Sequence, residues 1–385
     1  MDFDPSPEQR AIAETTRRFV EKEMPRHKVL QWARDKVEPP QELFMKLGAL
    51  GYYGFLLPEA YSGLEKPDPM GMLAFVEQFA RASSAITTAW GRAAVILAPL
   101  VARFGTQAQK DLVLPRVMRG EVFMALGLTE PGSGSDAASL RTTAVRRDDG
   151  HWVINGEKLY CSQVKSAGFL ILAARTDPQA VKQEGITTFL IPDPGSNPAI
   201  KLTRIETMGL GPVPTFAAHF DELVLPPDAV IGQVNKGWQC VLGGLDNERL
   251  YHGAIGVGAS QSIIDEVSAY LKQRVQFGKP LSKLQSVRHK IVDMQLRVEA
   301  ARLLVYRGGS VLERTGACHN EASFAKVAGA ECYMHCATTG LHLLGGYGYT
   351  VDSGMPMHFQ DAKLFEIGGG AMEVQRDIIA RGLGL

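Results

Sequence analysis

The residue in this sequence best suited to moving a proton is a glutamate within "GLDNERLYHG" (244–253). At 100° per residue, Val241, Leu245, Glu248, His252, Ile255 and Ala259 fall on one side of a helix. A carboxylate that shares an apolar stripe is costly unless it is paired or functional. Such surroundings also raise its pKa, which suits a general base. The competing use is a buried ion pair with Arg249 or Lys290. Other stretches are suited to binding. "TEPGSGSD" (129–136) offers hydroxyls and glycine-exposed backbone N–H groups that fit a polar ring edge and a pyrophosphate, or else form an ordinary Gly/Ser turn. "KLYCS" carries Tyr160 and Ser162 on a strand, where an aromatic residue can equally be core. In "QRVQFG", the fixed donor fork of Arg274 suits a phosphate, against the commoner fate of a solvated helix-end arginine. "KLFEIGGGAMEVQR" (363–376) puts three consecutive glycines between two helical stretches.

The elements that position these residues follow from periodicity. Helices are expected up to about residue 120: one opening at Pro7, one in "PPQELFMKLGALG", and a longer one from near Met70. From about residue 122 the texture turns to short β-rich runs around the turn signals Asp-Gly and Asn-Gly. Beyond Lys236 the 3.6 period returns in long stretches. The order is helices, β-domain, helices.

Composition narrows the function classes. Lys plus Arg and Asp plus Glu number 41 each, so no net field favours nucleic acid or an anionic membrane. The start "MDFDPSPEQR" has no signal-peptide pattern, and the apolar run "AAVILAPLVARFG" is short and interrupted by Pro99, so no membrane insertion is expected. Five cysteines without a Cys-x-x-Cys pair suit a reducing, cytoplasmic setting. "CYMHC" (332–336) with His342 superficially resembles a metal site, but its apolar surroundings favour packing, and no metal is expected.

Four separated stretches, "LTEPGSGSD", "INGEKLYCS", "QRVQFGKPLSKLQ" and "GGYGYTVDSG…DAKLFEI", together resemble the acyl-CoA dehydrogenase family, in order and spacing over nearly the whole chain. The resemblance implies a mostly α fold with a central β-domain. An α-helical N-terminal domain would occupy 1–121, a β-barrel or sandwich 122–233, and a C-terminal four-helix bundle 234–385. It also implies bound FAD, an acyl-CoA thioester substrate, a homotetramer, and electron transfer to an electron-transferring flavoprotein. On matching positions, Leu126, Leu128 and Thr129 would face the isoalloxazine, with Gly134 and Ser135 toward the phosphates. Tyr160 stands for the family's aromatic residue against the flavin, and Ser162 for its threonine. Arg274 would reach the FAD pyrophosphate of a neighbouring subunit, with Phe277 and Gln285 nearby; Gly345, Gly346 and Glu373 complete the cofactor set. Ser135, Asp246, Arg249 and Arg92 are the implied substrate contacts.

In most of this family the catalytic carboxylate stands where this chain has Gly369, which keeps only a backbone N–H for the thioester carbonyl. In the isovaleryl-type branch the base sits in a Leu-Asp-x-Glu-Arg segment, the position of Glu248. The complementary swap points to Glu248 as the base. A glycine at 369 would also widen the pocket, favouring a branched or alicyclic acyl group. Ala371 replaces a threonine that usually contacts FAD, and Gln360 a usual arginine. Arg92, in "ITTAWGRAAVILAPL", interrupts the helix that lines the floor of the acyl pocket in the family. It either snorkels to the surface or meets a polar group at the distal end of the acyl chain. The expected function is an FAD-dependent acyl-CoA dehydrogenase. The alternatives are an acyl-CoA oxidase, an enoyl-CoA reductase, and a flavin-binding partner subunit without turnover.

Overall fold

The computed structural model describes residues 4–385, so the first three residues of the polar start lie outside the described residues. The first helix, Pro7–Glu23, opens on a reciprocal cap in which Ser6 Oγ accepts from the Gln9 N–H and the Gln9 side chain accepts from the Ser6 N–H. Helices Arg26–Asp35, Gln41–Ala49 and Pro69–Ala80 follow, the last almost wholly buried. The next helix, Ser84–Phe104, corrects the sequence reading, because it runs straight through Pro99 for 21 residues. A π-helical turn over Arg92–Leu97 makes this possible, with the Ala98 N–H bonded to the Ala93 carbonyl. Proline has no N–H and its ring crowds the carbonyl four residues back, and the widened turn absorbs both defects. By length and composition alone this helix could cross a bilayer, but 78% of its 18-residue apolar window is buried inside the protein.

The middle of the chain is one eight-stranded sheet. Its strands are β1 (Phe123–Gly127), β2 (Thr143–Arg146), β3 (Trp152–Ser162), β4 (Ala167–Arg175), β5 (Ile186–Pro192), β6 (Ile200–Ile205), β7 (Thr215–Leu225) and β8 (Val230–Ile231). They run β6-β7-β3-β2-β4-β5-β8, with β1 added in parallel beside β4. The Asp149-Gly150 signal does form the turn between β2 and β3. The Asn155-Gly156 signal does not: it lies inside β3, at a bulge against β7.

The C-terminal bundle is built on three long helices, Leu245–Gln273, Gln285–Thr315 and His319–Leu343, with Met355–Phe365 and Met372–Gly382 packed against the third. The first and third cross at glycine. A Cβ on Gly256 would lie 2.2 Å from the Gly329 carbonyl oxygen, and one on Gly329 would lie 2.5 Å from that of Gly253. This backbone-to-backbone approach draws Lys326, one turn before Gly329, toward Glu248. Helix Pro69–Ala80 also packs on the bundle, so one hydrophobic core runs through both helical regions.

A buried polar chain fastens all three regions. Asp361, 2% exposed, accepts from the Leu210 N–H at 2.7 Å and from Ser84 Oγ at 2.8 Å. Ser84 continues to the Tyr333 hydroxyl at 3.2 Å, and Tyr333 to His358 Nδ1 at 3.1 Å.

Candidate active site

Glu248 stands in the first turn of helix Leu245–Gln273, close to its positive end. The apolar stripe read from the sequence is interrupted above it, because Val241 belongs to a separate short helix, Gly237–Leu242. Below it, His252, Ile255 and Ala259 are buried as expected. Among the described residues no basic group comes within ion-pair distance of Glu248, so the pair with Arg249 or Lys290 does not form. Arg249 turns instead to Asp246, at 3.5 Å. Burial raises the Glu248 pKa above the usual carboxylate value, against the opposing fields of Arg249, Arg92 and Lys326. Its carboxylate keeps a partly accessible face.

Gly369 faces this carboxylate. A Cβ built on Gly369 would lie 3.5 Å from Glu248 Oε1, but only 2.5 Å from His252 Nδ1. The glycine does not leave open width there, as the sequence reading expected. It makes room for an imidazole. The backbone at 369 and 370 is left-handed, with φ of 66° and 87°. The loop is pinned from behind. Lys326 Nζ donates to the Gly370 carbonyl at 2.7 Å, and Gln375 Nε2 reaches the carbonyls of Gly369 and Gly370 at 3.1 and 3.2 Å. With both carbonyls engaged, the Gly369 N–H has no partner among the described residues.

The residues expected at the flavin gather on the sheet. Two of the quoted motifs are stapled by a buried ion pair, Lys158 Nζ to Glu130 Oε1 at 2.7 Å. Lys158 also donates to the Leu128 carbonyl, and Glu130 accepts from the N–H groups of Arg141 and Thr142. The Leu159 N–H bonds the Thr129 carbonyl, which sets Leu128 and Thr129 beside the strand that carries Tyr160. Tyr160 is not a core aromatic: at a bulge in β3 its φ is 56°, and its ring is turned outward, 59% exposed. Leu126 and Leu128 are half-buried, and Ser162 Oγ shares a hydrogen bond with Thr215 Oγ1. Ser133 Oγ is buried without a partner, just before exposed Gly134 and Ser135, and a Cβ on Gly134 would meet nothing within 4 Å. An outward aromatic, half-buried leucines, a waiting hydroxyl and an open glycine turn fit a flat ring with a polar edge and a phosphate.

Arg274, Phe277, Gln285, Gly345 and Gly346 lie at the far end of the bundle, whereas Glu373 stays near Lys326. Arg274 caps helix Leu245–Gln273 and is exposed, next to a hairpin whose tip leaves Phe277 88% exposed. Gln285 begins the following helix. The Gly345-Gly346 turn comes to the same end through Tyr347, which stacks on Tyr270 at 5.6 Å. Glu373 is exposed in the first turn of the last helix, for which Ala371 is the N-cap residue. Among the described residues no hydrogen bond or ion pair joins the far-end cluster to the sheet cluster. Asp246 is largely committed to the protein, accepting from the Cys318 N–H at 3.0 Å and pairing with His319. Arg249 is 8% exposed, and its Nε has no partner.

Arg92 is half-buried. Its guanidinium donates to Gln163 Oε1 at 2.9 Å, and Gln163, fully buried, donates on to Glu38 at 3.0 Å. Cys332 and Cys336 are buried in helix packing, and no group of three potential ligands for a metal occurs among the described residues.

Glu130, Lys158, Lys326 and Gln375 were missed by the sequence reading. The first two stand inside the quoted motifs, and Lys326 interrupts the apolar "FAKVAG". A charge on an inward face was the available signal.

The chain is similar to known proteins over nearly its whole length. Models of the acyl-CoA dehydrogenase N-terminal, middle and C-terminal domains match residues 6–121, 125–223 and 235–384. The chain is 32% identical to a glutaryl-CoA dehydrogenase of Desulfococcus multivorans, over 99% of this chain and 97% of that protein. It is 31% identical to a mitochondrial isovaleryl-CoA dehydrogenase of Pongo abelii, over 98% of this chain and 88% of that one. Butyryl-CoA dehydrogenase from Megasphaera elsdenii superposes with a TM-score of 0.94 at 30% identity, over 100% of both chains.

Proposed function

The chain belongs to the acyl-CoA dehydrogenase family of FAD-dependent oxidoreductases acting on CH–CH groups, and from that premise we propose that it desaturates the α,β bond of an acyl-CoA with Glu248 as its base. The observation that carries this reading is the pairing of Glu248 with Gly369, a carboxylate facing the bare backbone where the family usually has one. The thioester carbonyl accepts the Gly369 N–H, which acidifies the α-proton by stabilising charge on oxygen. Glu248 takes that proton, and its raised pKa strengthens it as a base. When bound, FAD supplies the acceptor for the β-hydrogen as hydride. Lys326 and Gln375 keep the glycine loop from turning its N–H away.

The branched or alicyclic acyl group that a vacant Gly369 would favour loses its ground, because His252 occupies that space. The exposed hairpin with Arg274 and Phe277 supports a homotetramer in which a neighbour's FAD covers that surface. Electrons would leave to an electron-transferring flavoprotein. Five free, buried cysteines suit a cytoplasmic setting. The test is anaerobic: the purified yellow protein is mixed with acyl-CoAs, and bleaching of the flavin is expected. A flavin that no thioester bleaches overturns the reading.

A further inference from the structure

We infer that the acyl group turned over here carries a hydrogen-bond-accepting oxygen beyond the reacting carbons, a carboxylate or a hydroxyl, held by Arg92 and His252. The inference rests on the dehydrogenase reading above and adds the substrate class.

Arg92 is a cation with capacity to spare. A guanidinium has five N–H donors, and this one spends a single hydrogen bond on Gln163. Gln163 is itself fixed, donating through its side chain to Glu38 and through its backbone N–H to the Pro214 carbonyl. No carboxylate comes within ion-pair distance of Arg92 among the described residues. Its remaining nitrogens are neither hydrogen-bonded nor sealed in protein, and Gly91 beside it packs against Tyr251, the residue before His252.

His252 supplies a second donor. The ring is 9% exposed and held edge-on to Phe365 at 5.5 Å, with Tyr251 at 5.1 Å on its other side. Its Nδ1 is sealed against Gly369 without a partner. Nε2 is unbonded but not sealed. Orphaned buried N–H groups are rarer than under-satisfied buried acceptors, which favours the neutral tautomer with its proton on the unsealed Nε2. Burial holds the imidazole pKa down to about 3, so no second proton arrives at working pH.

The charges around the base point the same way. Glu248 sits in the fields of Arg92, Arg249 and Lys326; Asp246 pairs with Arg249, while Glu38 acts on Arg92, and Glu366 and Glu373 on Lys326, only through space and without an ion pair among the described residues. An oxygen acceptor is favoured in such a field and an ammonium group is not. A plain hydrocarbon tail would cover two donors and satisfy neither.

The holoenzyme tests this through single-turnover flavin reduction with butyryl-, 4-hydroxybutyryl-, glutaryl- and 4-aminobutyryl-CoA. The hydroxyl or the carboxylate compound should exceed butyryl-CoA by at least about tenfold in the flavin-reduction rate constant divided by Kd, with the amine slowest; the faster of the two identifies the oxygen. In Arg92→Met and His252→Leu the oxygen-to-alkyl ratio should fall toward one. Butyryl-CoA reducing the wild-type flavin as well as the oxygenated compounds do would overturn the inference and leave the dehydrogenase reading standing. Reduction by none of the four, nor by a wider panel, removes both. Loss of FAD from Arg92→Met in the resting protein would assign Arg92 to the cofactor and also overturn it. The wild-type panel decides the matter if either variant fails to fold.

Discussion

Glu248 Oε1 lies 3.5 Å from the point where a Cβ on Gly369 would sit, and His252 Nδ1 lies 2.5 Å from the same point. One small volume therefore holds the present carboxylate, the place where a carboxylate at 369 would begin, and the imidazole that now fills it. Two acids there would repel, and each would raise the other's pKa. A glutamate on the helix and a glycine in the loop are two halves of one solution.

Replacing Glu248 by Gln keeps the shape and removes the base. The variant should retain FAD and fold, and reduce its flavin at least ~10²–10⁴-fold more slowly. In the wild type, kcat/KM should fall with acid at a pH above the ordinary carboxylate value, because burial raises the Glu248 pKa and only the ionised form accepts a proton. That acid limb should vanish in Glu248→Gln. A near wild-type reduction rate in the variant would remove Glu248 from the chemistry.

Gly369→Ala tests the loop. Alanine at φ 66° is strained, and its Cβ must displace His252; together these should destabilise the protein by roughly 1–3 kcal/mol and slow flavin reduction. In Gly369→Ala combined with His252→Gly the steric share should be relieved, giving less loss than the two single variants added. Strict additivity in denaturant melts would mean that the two residues do not compete for space.

The sequence carried the architecture because periodicity is local. The helix–β–helix order, the start at Pro7 and the stripe through His252 and Ile255 needed only neighbouring residues. Where a tertiary contact decides, it misled. Asn155-Gly156 reads as a turn, yet pairing with β7 keeps it in a strand. Pro99 reads as a stop, yet a π turn carries the helix through. Glycine at 369 reads as empty space, because nothing nearby in sequence shows that His252 arrives from another helix. Lys326 was invisible for the same reason: its role exists only once Gly256 and Gly329 bring two helices into contact.

Arg274 is exposed and has no ion-pair partner among the described residues, beside an 88% exposed Phe277. If both complete a neighbour's FAD site, Arg274→Ala should lose FAD on gel filtration and loosen the assembly together. Phe277→Ser should weaken assembly more than it weakens flavin binding per assembled subunit. An Arg274→Ala protein that elutes fully flavinated at unchanged size would mark the arginine as a plain surface residue.

The last prediction concerns Asp361, whose carboxyl is pushed up to about 6 by burial despite the hydrogen bonds from Leu210 and Ser84. Unfolded, the group titrates near its ordinary value of 3.8. Between those values the folded state holds the proton and the unfolded state has lost it. Stability contributed by this site therefore falls as pH rises from about 4 to about 6, and is constant beyond. The fall is at most roughly 3 kcal/mol, taking 1.36 kcal/mol per pKa unit. His358, depressed to about 4 in the same polar chain, works oppositely, losing stability as pH falls through that window. The wild-type profile alone is therefore ambiguous, and a difference is needed. In Asp361→Asn the side-chain oxygen still accepts from Leu210, the amide donates to Ser84, and the His358 contribution remains. The stability of Asp361→Asn minus that of wild type should climb between pH 4 and 6 and then level off. A difference that stays flat from pH 4 to 7 in urea melts would show that Asp361 does not titrate there.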